Sequence, residues 1–169
     1  EFKGKSPRGL YGDVIEEIDH STGRILDALG ELGLEKNTYV LFTSDNGPWL
    51  IKNQGKIDGT LERDHGGSAG ILRSGKVSTW EGGQRVPTVF WAPDRIRPNT
   101  TCKALASTLD ILPTFAALAG AKVPKDRDLD GEDIGYLLAG RFEEARMDKV
   151  YHYYLRTTLQ AVRQGKWKL

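Results

Sequence analysis

The sequence has little cysteine, no excess of either charge and no long apolar run. Cys102 is the single cysteine among 169 residues, which excludes a disulfide within the chain and a metal site made of several thiolates. The 24 basic and 23 acidic residues leave a formal net charge of +1, so no overall field favours nucleic acid or an anionic membrane. No stretch approaches the roughly 20 apolar residues of a membrane-spanning helix. We therefore expect no nucleic-acid partner and no membrane span.

The composition and the first periodic segments indicate a globular α/β protein. Hydrophobic residues make up 38% of the chain and charged residues 28%, which is typical of a folded domain. Apolar residues recur at helical spacing over 10–33, and Gly33 follows as a stop signal. The run at 38–43 is β-rich and does not alternate, which predicts a buried strand. A helix joined to a strand by a short link is typical of α/β folds.

Residues 44–85 are rich in glycine and have little periodicity, which predicts a long loop. Trp49 and Trp80 lie within it, and aromatic residues are scarce in disordered segments. Loops of this length inside a domain are often functional. We therefore expect the loop to be ordered and to carry function.

Further regular elements follow the loop. Pro87 stands near the start of a β-like run, and Ser107 and Asp110 form a capping-box-like pair at the start of a helical pattern. The predicted elements are a strand in 86–93, helices in 107–120 and 130–140, and strands in 149–156 and 159–169 with a turn at Gln164-Gly165. We expect a mixed sheet flanked by helices and a small antiparallel piece at the end.

The stretch TSDNG at 43–47 places polar residues where the first predicted strand ends. Ligands of open α/β sheets lie outside the carboxyl ends of strands. The Asp45 carboxylate and the Asn46 amide are hard oxygen donors, which suit Ca²⁺ or Mg²⁺. Taken alone, these five residues favour the other interpretation, an Asx-type turn that ends the strand and binds nothing.

The segment at 70–87 adds positive charge to glycine-rich backbone. Lys76 follows Gly75, and a lysine in such a loop is a point charge suited to a phosphate- or sulfate-like oxyanion. Glu81 is positioned to orient a cation or to cap the backbone after it, and Arg85 lies four residues further on. The alternative is that Lys76 and Arg85 are ordinary solvated surface charges.

Taken together, these stretches resemble the sulfatases of the alkaline-phosphatase-like superfamily, in the C-terminal part of an arylsulfatase-type enzyme. The resemblance rests on SDNG followed by GKxxTxEGGxRxP, and on the weaker segments LDGEDI and VRQGKWKL in the expected order. It implies that 1–148 is the C-terminal part of the α/β catalytic domain and that 149–169 begins an antiparallel subdomain. It also implies a secreted, periplasmic or lysosomal location.

The resemblance gives the site residues specific roles. It implies that Asp45 and Asn46 bind one Ca²⁺, with Mg²⁺ as an alternative, and that Lys76 contacts the sulfate group. Glu81 and Arg85 would position these groups without being catalytic themselves. The resemblance therefore implies hydrolysis of sulfate monoesters, either aryl or carbohydrate sulfates.

Substrate contacts are expected in the loop at 48–70. The residues proposed for this role are Trp49, Arg63 and His65, which would contact a sulfated small molecule or saccharide. His20 and His152 are interpreted as structural.

Several elements of the family pattern are missing, namely the nucleophile, the other metal-binding aspartates, the catalytic histidines and a further lysine, all of which the resemblance places upstream. The family's nucleophile is a formylglycine made from the first residue of a Cys/Ser-x-Pro-x-Arg motif, but Pro-x-Arg occurs here only after Trp91, which cannot be converted. We therefore expect the nucleophile upstream, in an N-terminal half of the enzyme that would be this chain's partner, and expect the chain alone to be inactive. The alternatives are a phosphoester or phosphonate hydrolase of the same superfamily and a non-catalytic remnant.

Overall fold

The computed structural model describes residues 1–50 and 66–169, and every structural statement below refers to these residues. The helices are α1 (Gly9–Glu31), α2 (Glu81–Gln84), α3 (Ile111–Leu118) and α4 (Gly135–Leu138). The strands are β1 (Val40–Thr43), β2 (Thr88–Trp91), β3 (Val150–Leu155), β4 (Thr158–Gln164) and β5 (Trp167–Lys168). Each predicted helix and strand is present, and α2 is a short helix within the stretch predicted as loop.

Helix α1 confirms the prediction made from apolar spacing. It ends two residues before Gly33, whose φ of 65° is the left-handed conformation that glycine adopts without strain. At its start, the buried Asp13 carboxylate accepts hydrogen bonds from the backbone amides of Gly4, Lys5 and Ser6 at 2.7–3.1 Å. These bonds from Ser6 and Gly4 favour the ionised carboxylate, so they lower the pKa of Asp13 despite its burial.

The apolar stripe of α1 remains largely uncovered by the described residues. Val14, Ile18 and Ile25 are 46%, 44% and 60% exposed along one side of the helix. Within the described ranges, no helix is both long and apolar enough to cross a membrane.

Strands β1 and β2 form a two-stranded antiparallel sheet, in register from Val40 opposite Trp91 to Thr43 opposite Thr88. The prediction that the first strand is buried was wrong, since Phe42 is 40% exposed. In the described chain, β1 has one neighbouring strand and is only partly buried. The lack of alternation in the β1 sequence therefore does not reflect burial of both faces of the strand here.

Strands β3, β4 and β5 form a second antiparallel sheet in that order. The predicted turn is present between β4 and β5, where Gly165 has a φ of 54°. The β-rich character of the last segment is thereby confirmed. The division of the chain into domains at 148 and 149 stays a prediction.

A buried polar group joins α3 to the second sheet. The expected capping box is present, with the Asp110 carboxylate accepting from the Ser107 amide at 2.8 Å. Lys149 donates to the same carboxylate at 2.7 Å, and the two side chains are only 15% and 1% exposed. Burial lowers the pKa of Lys149, but the hydrogen bond and charge of Asp110 outweigh it and leave that pKa raised. The helix that follows Asp110 is thereby fixed to the start of β3.

Candidate functional site

The first candidate group lies directly after β1. The Ser44 hydroxyl donates to the carbonyl oxygen of Asn46 at 3.0 Å and so closes a tight turn. The Asp45 side chain is exposed, and Asn46 is half-buried. The turn therefore carries a carboxylate and an amide on successive residues at the end of the strand. The turn is closed by Ser44 rather than by the expected Asx-type bond, because the Gly47 amide donates to Gly83 and Pro48 has no amide hydrogen to offer Asn46. The expected pair of oxygen donors is compatible with this geometry.

The backbone just after this turn packs against α2 with no space for a side chain. The amide of Gly47 donates to the carbonyl oxygen of Gly83 at 2.9 Å. A methyl group on Gly47 would collide with the carbonyl oxygen of Gly82, and Gly82 and Gly83 are themselves buried. Glycine at 47 is thus required by the close approach of two backbones.

The segment that carries Lys76 is bonded to the same region. The Lys76 amide donates to the carbonyl oxygen of Pro48 at 2.8 Å, and Pro48 lies two residues after Asn46. A methyl group on Gly75 would lie 2.5 Å from that oxygen and 2.6 Å from Cγ of Leu50. The Lys76 side chain is exposed. The structure therefore brings the backbone of Lys76 next to the segment that holds the two oxygen donors.

Helix α2 also contacts the Lys76 segment directly. The amide of Gly82 donates to the carbonyl oxygen of Arg73 at 2.9 Å. The Gln84 side chain donates to the carbonyl oxygen of Ser78 at 2.8 Å, and the Ser78 hydroxyl donates to that of Gly75 at 2.8 Å. We use the term glycine junction for Gly47, Gly75, Gly82 and Gly83, where the turn after β1, the Lys76 segment and α2 meet.

Glu81, the first residue of α2, pairs with two basic side chains of the second sheet. Its carboxylate accepts from Arg163 and from Lys168, each at 3.0 Å. Partial burial raises the pKa of Glu81, but the hydrogen bonds and charges of Lys168 and Arg163 outweigh it, so the pKa lies below its ordinary value. Glu81 is therefore ionised and joins α2 to β4 and β5.

The remaining expected site residues are distributed around this junction. Arg85 is exposed, and its amide donates to the carbonyl oxygen of Glu81 at 2.8 Å. Trp49 is 58% exposed, next to Pro48, whose carbonyl oxygen binds the Lys76 amide. Arg63 and His65 lie outside the described residues.

Sequence reasoning missed Arg163 and Lys168. They face each other in register across β4 and β5, and each reaches Glu81 from more than 80 positions away in the chain. Contacts at that separation leave no local pattern. The available signals were the resemblance of VRQGKWKL to the family and the basic residues within it, which are also common on solvent-facing strands.

The described residues contain no group of three or more histidine, cysteine, aspartate or glutamate side chains that could hold a metal ion. Asp45 and Asn46 therefore offer, within residues 1–50 and 66–169, a partial set of oxygen donors. Ca²⁺ prefers six to eight oxygen ligands. A complete site needs donors beyond these two side chains.

Comparisons with known proteins show which family this chain matches. The family model described as Sulfatase matches residues 1–121. Human steryl-sulfatase is 42% identical over 165 residues, which are 96% of this chain and 27% of that protein. Mouse N-acetylgalactosamine-6-sulfatase is 42% identical over 168 residues, 99% of this chain and 30% of that protein.

A solved structure supports the same assignment at the level of the fold. The crystal structure of a Pseudoalteromonas sulfatase matches with a TM-score of 0.83 and 30% identity, covering 99% of this chain and 32% of that chain. The α/β fold class expected from the sequence is thereby confirmed, and this chain spans about three tenths of the length of these relatives. With the family model matching well over half of its residues, the chain belongs to the sulfatase family.

Proposed function

We propose that this chain is part of an enzyme that hydrolyses sulfate monoesters, and that it contributes a cation-binding turn and a sulfate-binding lysine. The observation that carries the proposal is the glycine junction in a chain of the sulfatase family. Through it, the turn with Asp45 and Asn46 and the backbone of Lys76 are bonded to one small region. Groups for a cation and for an oxyanion thus come from adjoining segments.

The donor chemistry of the turn fits Ca²⁺, with Mg²⁺ as the alternative. A carboxylate and an amide oxygen are hard donors, and the exposure of Asp45 leaves its carboxylate open to a cation. Asp45 would supply negative charge, and Asn46 would supply an oxygen without adding charge. The bound cation would withdraw charge from the sulfate ester. Its other ligands would come from water, substrate or other parts of the enzyme.

Lys76 would bind the sulfate group. A sulfate monoester is anionic and repels nucleophiles, so a fixed ammonium group stabilises the charge that develops during hydrolysis. The bond from its amide to Pro48 fixes the backbone at Lys76, while its exposed side chain remains free to reach a ligand. Glu81 and Arg85 would act on the site through the backbone of α2 rather than by touching substrate.

The nucleophile would be a formylglycine outside this chain. No Cys/Ser-x-Pro-x-Arg motif occurs among the 169 residues, so catalysis would require the remaining part of the enzyme. The chain's own residues would orient the sulfate group toward that nucleophile.

The substrate class would be a sulfated small molecule or saccharide. The relatives include a steryl-sulfatase and an N-acetylgalactosamine-6-sulfatase, so the family match alone does not choose between the two. Trp49, Arg63 and His65 would contribute contacts to the part of the substrate beyond the sulfate. An exposed indole such as that of Trp49 suits packing against a sugar or sterol ring.

The test uses the full-length enzyme that contains this chain, with 4-nitrophenyl sulfate and 4-nitrophenyl phosphate as probes. We expect sulfate hydrolysis, with Lys76→Ala lowering kcat/KM by about 10²–10³-fold, as for loss of one group that stabilises transition-state charge. Lys122→Ala is the matched control, because Lys122 is an exposed lysine outside the glycine junction. Asp45→Ala is expected to lower activity and to weaken its dependence on added Ca²⁺.

Two outcomes would overturn the proposal. Faster turnover of the phosphate than of the sulfate ester would identify a phosphoester hydrolase. Activity toward neither of these esters, nor toward N-acetylgalactosamine 6-sulfate or a steryl sulfate, would leave a non-catalytic member of the family.

A further inference from the structure

The C-terminal sheet holds the carboxylate of Glu81 through both of its oxygens. Nη1 of Arg163 lies 3.0 Å from one oxygen, and Nζ of Lys168 lies 3.0 Å from the other. The three side chains are 31%, 24% and 18% exposed, in the order Glu81, Arg163, Lys168. Partial burial makes these charge-assisted bonds less sensitive to solvent and salt than a surface pair. Lys168 also donates to the carbonyl oxygen of Thr79, so the contact includes the backbone just before α2.

The contacts continue from Glu81 to both parts of the proposed site. One residue along α2, the Gly82 amide bonds to Arg73, in the segment that leads to Lys76. One residue further, the carbonyl oxygen of Gly83 accepts from Gly47, which follows the Asp45–Asn46 turn. Because glycines at these points leave backbone against backbone, a shift of α2 has no intervening side chain to absorb it.

We propose that Arg163 and Lys168 are positioning residues of the sulfate site. Through Glu81 they fix α2, to which the cation-binding turn and the Lys76 segment are both hydrogen-bonded. The inference rests on the proposed function, because it gives these contacts a role in sulfate binding. It extends the site to the C-terminal sheet, which contributes to catalysis without touching substrate.

A positioning role differs measurably from a merely structural one. If the two cations only stabilised the fold, their loss would lower the unfolding temperature and leave the kinetics of the folded enzyme unchanged. If they position the site, the folded variant binds sulfate less well and reacts more slowly, since small misplacements of binding groups are costly. Restoring a cation at the same place then restores the kinetics.

The experiment compares four variants of the full-length enzyme well below their unfolding temperatures. They are Lys168→Met, Arg163→Met, Lys168→Arg as the rescue, and Lys166→Met as the control. Lys166 is an exposed lysine of the same hairpin, with its ammonium 5.2 Å from the Trp167 ring and no bond to Glu81 among the described contacts. The measurements are kcat and KM for 4-nitrophenyl sulfate, and the inhibition constant of inorganic sulfate.

We expect Lys168→Met and Arg163→Met each to lower kcat/KM by about 10- to 100-fold and to weaken inhibition by inorganic sulfate. Lys168→Arg is expected to recover most of the loss, and Lys166→Met to behave as the parent enzyme. Parental kinetics in folded Lys168→Met and Arg163→Met would overturn the inference. So would a Lys168→Arg enzyme as impaired as Lys168→Met.

Hydrogen exchange supplies a readout that requires no turnover. The amides of Gly47 and Gly82 are expected to exchange faster in Lys168→Met than in Lys166→Met, because both bonds depend on the position of α2. If the parent enzyme hydrolyses no sulfate ester, the proposed function fails. Hydrogen exchange alone then tests whether the C-terminal sheet positions α2. Equal exchange rates of these amides in Lys168→Met and Lys166→Met would overturn that coupling.

Discussion

The backbone amide of Gly47 donates to the carbonyl oxygen of Gly83 at 2.9 Å, which joins the segment after β1 to α2. This bond follows the oxygen donors at 45 and 46 by one residue, and α2 is in turn bonded to the segment that leads to Lys76. Among the described residues, the contacts that join these segments are mainly between backbones. The arrangement of the site therefore depends on glycines rather than on packed side chains.

Substitution of Gly47 by alanine tests that dependence. The added methyl group would meet the carbonyl oxygen of Gly82, so one backbone has to move. We expect the free energy of unfolding to fall by about 1–3 kcal/mol, the usual cost of overpacking, and sulfate hydrolysis by the full-length enzyme to fall with it. Urea unfolding and kcat/KM provide the two measurements.

Gly23→Ala is the control for that substitution. Gly23 lies within α1, and a methyl group there would meet nothing within 4 Å. Alanine at this position is expected to stabilise the helix by up to about 1 kcal/mol and to leave activity unchanged. Equal stability of the Gly47→Ala and parent proteins would contradict the close approach described for the glycine junction.

The ion pair between Lys149 and Asp110 gives a second prediction. Asp110 is almost fully buried and also caps the start of the helix, so removing Lys149 leaves an uncompensated buried charge. We expect Lys149→Met to lower the free energy of unfolding by about 3–5 kcal/mol. Arg127→Met is the control, since the Arg127–Asp126 pair is solvent-exposed and its loss should not be measurable. A Lys149→Met protein as stable as Arg127→Met would contradict the prediction.

The parts of the fold that were predictable have local causes. Helix α1 follows from apolar spacing, the start of α3 from Ser107 and Asp110, and the last turn from Gly165. These signals act within a few residues, where the backbone and its nearest side chains decide the conformation. The family motifs likewise indicated which segments carry the candidate site.

The parts that were not predictable depend on contacts far apart in the chain. Nothing near Glu81 or Asp110 indicates that the partners are Arg163, Lys168 and Lys149. The predicted burial of β1 was wrong for the same reason, because burial depends on the distant segments that cover the sheet. Local pattern identifies which groups are available, whereas tertiary contacts determine which of them meet.

The lowered pKa of Glu81 predicts a pH dependence of stability. Partial burial alone would raise this pKa, but Lys168 and Arg163 outweigh it and keep it below the ordinary value of 4.5. The ionised carboxylate is therefore favoured in the folded state. Its contribution is fully present above pH 4.5 and is lost as pH falls below 4.5 through the folded-state pKa.

Glu81→Gln should consequently make unfolding less dependent on pH in the acid range. The measurement is urea unfolding at a series of pH values below neutrality. The control is the same substitution in a Lys168→Met background, where most of the coupling is already absent and the further change in slope should be smaller. A Glu81→Gln protein with the parental slope would contradict the prediction.

Calcium binding by the 169-residue chain alone is predicted to be weak. Asp45 and Asn46 supply two of the six to eight oxygens that Ca²⁺ prefers, and the described residues contain no larger cluster of acidic or histidine ligands. We expect calorimetric titration to give a dissociation constant of about 10⁻³ M or weaker, the weak end of protein calcium sites. Asp45→Asn should remove the remaining binding, whereas Asp126→Asn should not, because Asp126 lies outside the turn. Tight one-site binding by the chain alone would mean that a complete cation site exists without the remaining part of the enzyme.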